Sequence, residues 1–188
     1  MSYRPEIIGF NSGRFLRLLG SNDQKALEEI STHIVSQFAD DKATSTQCLS
    51  ILKTAITESL PLPNLEEETY EHSCVAEAIM RYDQDLMLTN SNILRWSVMS
   101  DMISEFAESP NSSDKIDHIC HYITNGRPIF GQSVYWESPY FYLLNSELIT
   151  FTTTLASTEF EDFESIEPLV KIMSAIGSNG LDMWCRIQ

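Results

Sequence analysis

The chain has 188 residues, with 27 Asp and Glu against 12 Lys and Arg for a net charge of −15, and 43% of it is apolar. That length suits one domain able to bury roughly 70% of its unfolded surface without a metal or a disulfide, and the apolar fraction is too high for a disordered acidic tail. The charge disfavours direct nucleic-acid binding, because phosphate repels it, and no apolar run approaches the ~20 residues of a membrane helix.

The opening Met1-Ser2-Tyr3-Arg4-Pro5 has no apolar core behind its positive charge and does not read as a secretory signal. Ile7 to Phe10 predicts a short strand. Asn11 and Ser12 offer a cap for a helix on Phe15, Leu16, Leu18 and Leu19 that stops at Gly20. Ser21 and Gln24 stand at capping-box spacing before a helix on Leu27, Ile30, Ile34, Val35 and Phe38. Thr44 and Gln47 repeat that spacing before a helix on Cys48, Leu52, Ala55, Ile56 and Leu60, which Pro61 and Pro63 end. The run Glu66-Glu67-Glu68 precedes a helix on Val75, Ala78, Ile79 and Tyr82, where negative charge also suits the helix macrodipole.

A helix starting near Asn90-Ser91 carries Leu94, Val98, Met102 and Phe106. Ser109 to Ser113, with Pro110 inside it, is the clearest loop and the best candidate for a hinge in a single domain spanning 1–188. The next helix carries Ile116, Ile119, Cys120 and Ile123 and ends at Asn125-Gly126. Periodicity then fails from Arg127 to Leu144, which reads as an ordered aromatic loop with a brief strand at Val134 to Trp136. Asn145-Ser146 caps a helix through Leu148 and Leu155, and a last helix begins near Pro168. Leu181 to Ile187 alternates at period two and predicts a terminal strand whose partner is Ile7 to Phe10. The predicted class is α+β, mostly α-helical, with about seven helices and a small sheet pairing the N- and C-terminal strands.

Catalytic and metal signatures are weak. His118 and His121 lie three apart and could share an ion with His72 or Cys74, but structural zinc needs two closely spaced ligand pairs and the gap between His72 and Cys74 is untypical. Cys74 or Cys185 could meet a histidine in space, yet no local signature supports a Cys–His nucleophile. No phosphate-binding glycine loop is present. The expectation is no catalytic residue, no cofactor and no metal. Cys48, Cys74, Cys120 and Cys185 form no CxxC pair and read as reduced thiols of a cytoplasmic protein.

The charge is lopsided. Residues 61–188 hold 20 of the acids but 6 of the Lys and Arg, a net of −14, while residues 1–60 are nearly balanced at −1. Two dense runs stand out: Glu66, Glu67, Glu68 and Glu71, then Glu159, Glu161, Asp162, Glu164 and Glu167. With Tyr135, Trp136 and Tyr140 they have the composition of a protein-binding patch, aromatic anchors ringed by charge. A basic partner, such as a nucleic-acid-degrading enzyme whose cleft must hold phosphate, would meet that surface favourably.

Met1-Ser2-Tyr3, Leu16-x-x-Leu19-Gly20-Ser21-x-Asp23 and Gly180-Leu181-Asp182-Met183-Trp184 carry a further signal. So do Glu68-x-Tyr70, Val75-Ala76-x-Ala78-Ile79 and Phe141-x-Leu143. Together they resemble a family of short bacterial cytoplasmic proteins that open Met-Ser-Tyr-Gly and end in a Gly-x-Asp-aliphatic-aromatic strand. Arg4 stands where that family has Gly. The resemblance supplies no catalytic residue. Through members similar to immunity proteins of interbacterial toxin systems, it implies a protein that binds and sterically blocks a cognate toxin. The alternatives are a hydrolase with an unrecognised Cys, His and carboxylate site, and an acidic adaptor.

Overall fold

The computed structural model describes residues 5–58, 67–82, 87–88, 96–107, 114–130, 133–134, 140–158 and 163–187. In chain order the elements are β1 (Pro5–Phe10), α1 (Ser12–Leu18), α2 (Gln24–Gln37), α3 (Lys42–Thr57), β2 (Glu67–Glu68), α4 (Tyr70–Tyr82) and β3 (Met87–Leu88), then α5 (Trp96–Ala107), α6 (Asp114–Asn125), β4 (Ser133–Val134), β5 (Tyr140–Leu143), α7 (Asn145–Ala156), α8 (Phe163–Ser178) and β6 (Asp182–Ile187). The fold is α+β and mostly helical, with eight helices among the described residues against about seven expected. No helix among them is long and apolar enough to cross a membrane.

The chain divides into two compact units. One comprises Met1–Phe10, Met87–Arg127 and Pro139–Gln188, and the other Asn11–Leu86 and Pro128–Ser138. The expected hinge at 109–113 lies outside the described residues.

The first unit is built on an antiparallel sheet of order β3-β1-β6-β5. The predicted pairing of the two terminal strands is present over six residues, from Pro5 opposite Ile187 to Phe10 opposite Asp182. Strand alternation sends Ile7, Phe141, Leu143, Met183 and Cys185 to one face, where they join a single apolar cluster with residues of α5, α6, α7 and α8. Phe106 and Phe151 meet edge to face in that cluster, their ring centres 5.6 Å apart. Gly180 closes the turn from α8 into β6 at φ +70, and the N–H groups of Gly180 and Leu181 reach back to the carbonyls of Gly177 and Ile176. That helix stop needs a residue free to adopt a left-handed backbone.

Three details differ from the sequence expectation. The aromatic segment contains strand β5, which has apolar side chains on both faces and so shows no alternation to read. The helix expected to begin near Pro168 begins at Phe163 and holds Pro168 inside it. Proline has no N–H for the carbonyl of Glu164 four residues back, and burial of Ile166, Leu169, Met173 and Ile176 on one face offsets that loss. Asn145 does not cap α7. Its side chain instead donates to the carbonyls of Gly177 (2.9 Å) and Leu181 (3.0 Å), while its N–H donates to Asp182 (2.6 Å). Asn145 thus ties three parts of the first unit together.

In the second unit α2, α3 and α4 pack on one another, and β2 runs parallel to β4. The α4 side chains are buried without a break from His72 to Met80, the pattern of a helix enclosed on all sides. Asp23 and Asp41 cap α2 and α3, each accepting from backbone N–H groups of the first turn. These caps lie on either side of the Ser21 and Thr44 positions predicted. Aspartate accepts such bonds with a full charge at the positive end of the helix.

Truncating Phe141, which is 1% exposed, to alanine is expected to cost about 3–5 kcal/mol by urea denaturation. Leu16→Ala, at a side chain 54% exposed, is expected to change stability by no more than ~0.5 kcal/mol.

Candidate functional site

The predicted contact residues fall into distinct groups. Glu66, Tyr135, Trp136, Glu159, Glu161 and Asp162 lie outside the described residues. Glu67 and Glu68 form β2 beside Ser133 and Val134, just ahead of α4 as expected. Glu71 sits in the first turn of α4, where its carboxylate accepts a 2.6 Å bond from the Thr69 hydroxyl. Glu164 and Glu167 lie on α8, and Glu167 pairs with Lys171 at 2.9 Å. The two acidic runs belong to different units, one to each.

Tyr140 is a correction. It is 1% exposed, its ring tilted against Trp184 at 6.2 Å in the sheet of the first unit. A side chain fixed there is core, and cannot anchor a partner.

Four of the six Lys and Arg of the acidic stretch pair with carboxylates. Arg81 bonds buried Glu77 at 2.6 Å. Arg127 bonds Glu147 at 2.6 Å and the Tyr142 carbonyl at 3.3 Å, with its guanidinium 4.3 Å from the Tyr122 ring centre and 4.2 Å from that of Tyr142. Such stacking between two aromatic faces suits a planar cation. Arg186, only 4% exposed, bonds Glu6 at 3.1 Å across the sheet. Lys171 completes the four.

The cysteines are buried, free thiols. The Cys48 thiol is pushed strongly up by its hydrogen bond with Cys74 and by burial. Burial raises Cys120 to about 11, with Asp117 adding to it, and raises Cys185 further, with Glu6 adding to it. All three are held in the protonated form, which is not the nucleophile. His118 and His121 are exposed on α6 in the first unit, whereas His72 and Cys74 are buried on α4 in the second. Among the described residues no group of three or more His, Cys, Asp or Glu could hold a metal ion.

His72 has a structural place. Its Nδ1 accepts from the Thr69 N–H at 3.0 Å, and its ring meets Phe130 edge-on at 5.7 Å. Burial lowers its pKa below the ordinary 6.5, with Glu71 opposing.

A feature missed from the sequence lies in the second unit. Arg14, Arg17 and Leu18, at helical spacing on α1, face a cleft of about 820 Å³ with Lys25 and Glu29 of α2 and Arg81 and Tyr82 of α4. Ser21 and Asp23, from the turn between α1 and α2, also line it. Gly20 and Asn22 there have φ of 68 and 56, and their N–H groups donate at 2.9 Å to the carbonyls of Ala55 and Ile56. Glycine takes that conformation without strain and asparagine with little. Ser21 adds bonds to the Leu18 carbonyl (2.7 Å) and from the Asp23 N–H (3.2 Å). The turn is therefore tied on both sides, and it holds α1 and α2 at a fixed spacing. Four of the chain's 12 Lys and Arg line this one cleft. The near balance of charge in residues 1–60 and the Arg14–Arg17 spacing were the only sequence signals of it.

Two measurements follow from these environments. At about pH 8, where an ordinary thiol is partly ionised, dithionitrobenzoate is expected to leave all four thiols unmodified in the folded protein and to label them as it unfolds. For His72 the unfolded chain binds a proton at higher pH than the folded one, so stability is full above about pH 6.5 and falls as pH drops below it. His72→Gln is expected to flatten the melting-temperature profile between about pH 7 and 5.5. No protein-family model, no curated protein and no solved structure matches the chain.

Proposed function

We propose that the chain is an immunity-type protein of the bacterial cytoplasm that binds a cognate toxin and blocks it sterically, the toxin having a basic active site. The observation that supports this most is the state of the cations. Of the twenty carboxylates in residues 61–188, Glu77, Glu147 and Glu167 take Arg81, Arg127 and Lys171, while Arg186 goes to Glu6 outside the stretch. Whichever carboxylates these cations meet, residues 61–188 keep a net charge of −14. An excess on that scale keeps a cationic partner attracted over a distance set by the ionic strength.

In this reading the acids at 66–71 and 159–167 steer the encounter, and Tyr135 and Trp136 slow release. Tyr140 contributes to the fold alone. Steering by charge acts on association, and buried aromatic contact acts on dissociation. The partner needs no catalytic group, metal or cofactor from this chain.

Co-purification from cells expressing the native operon is expected to recover the toxin, and expression of the chain to rescue cells from it. The association rate should fall about tenfold or more between roughly 0.02 and 0.3 M salt. Replacing Glu66, Glu67 and Glu68 by Gln should slow association with dissociation unchanged, while Trp136→Ala should speed dissociation. Absence of any partner together with failure to rescue would overturn the reading.

A further inference from the structure

We infer that the groove between α2 and α3 is the interface through which two copies of this chain associate as a two-fold symmetric dimer. The groove lies within the second unit and has a volume of about 490 Å³. Leu27, Val35 and Leu49 line it, and Val35 is 49% exposed. The Thr32 hydroxyl, also in the lining, donates to the Glu28 carbonyl at 3.0 Å and so is turned back onto its own helix. Apolar surface gathered in one groove, rather than scattered singly, is the kind a partner covers.

Two charged side chains border this strip, and their signs select the partner. Glu28 stands on α2 and Lys53 on α3, both exposed and, among the described residues, neither in an ion pair. The four-residue turn from Phe38 to Asp41 makes α2 and α3 antiparallel neighbours. Glu28 lies nine residues before the end of α2 at Gln37, and Lys53 eleven after the start of α3 at Lys42. At a rise of 1.5 Å per residue they are about 14 and 17 Å from the turn, nearly level on opposite sides of the groove. A two-fold axis running along the groove then sets α2 of one copy over α3 of the other. Each Glu28 meets the other copy's Lys53, and apolar strip lies on apolar strip. A surface with one charge of each sign at one level is complementary to itself, whereas a uniformly basic or acidic partner would meet a like charge on one side.

The charge of the whole chain points the same way. Two copies at net −15 repel, and the repulsion is least where charge is balanced. Residues 24–57, which form the two helices and their turn, hold three Lys against four Asp and Glu, while residues 61–188 carry −14.

Sedimentation equilibrium of the full chain tests this. A monomer–dimer equilibrium is expected between about 1 and 500 µM. Glu28→Lys and Lys53→Glu should each raise the dissociation constant about tenfold or more, because each sets two like-charge contacts across the interface. Mixing the two variants should restore association as a heterodimer, and the double variant should restore it alone. Melting temperatures of the dilute single variants should match that of the natural chain, since both positions are exposed. Val35→Cys reads what covers the groove: its thiol should react with dithionitrobenzoate in dilute protein and become protected as concentration rises. A monomer at every concentration, a dimer indifferent to both reversals, or failure of the mixture to recover it would each overturn the inference. So would a thiol at position 35 protected at every concentration, the mark of a groove covered by its own chain. One reactive at every concentration would do the same, leaving the groove to a different protein or to none.

Discussion

Glu6 and Arg186 stand directly opposite each other in the sheet of the first unit, one near each end of the chain, and join at 3.1 Å. This pair marks the register of β1 on β6, on which the rest of that unit depends. With Glu6 opposite Arg186, Ile7 falls opposite Cys185 on the face that meets the helices, in line with Phe141 of β5. A slip of one residue would turn the Arg186 guanidinium into the apolar cluster and Met183 out of it. Arg186 is almost wholly buried, and Glu6 gives its charge a hydrogen-bonded carboxylate inside the sheet. The pair thus acts more against wrong registers than for stability in itself.

The second unit is held by a different device. α4 is enclosed from His72 to Met80, and its polar side chains bond locally: Ser73 to the Tyr70 carbonyl, His72 to Thr69, and Glu77, through Oε1, to Arg81. Each partner lies within four residues. Local partners let a helix be buried on all sides without needing a polar group from a neighbour at each point. The same economy places Arg81 at the rim of the basic cleft, since the carboxylate that anchors it belongs to its own helix.

What could be read in the sequence was what depends on short-range pattern. The terminal strands and the helical stripes follow from periodicity and backbone preference, which act over a few residues. The β5 strand could not be read, because Tyr140-Phe141-Tyr142-Leu143 is apolar on both faces and too short to distinguish from a loop. Tyr140 is in the core rather than on a contact surface for the same reason: an aromatic cluster looks alike in sequence whether it covers a partner or fills a core. Pro168 misled because a missing N–H weakens one bond of a helix, while four buried side chains on α8 outweigh it. The cleft escaped because Arg14, Arg17, Lys25 and Arg81 come from three helices, and no linear pattern records their meeting.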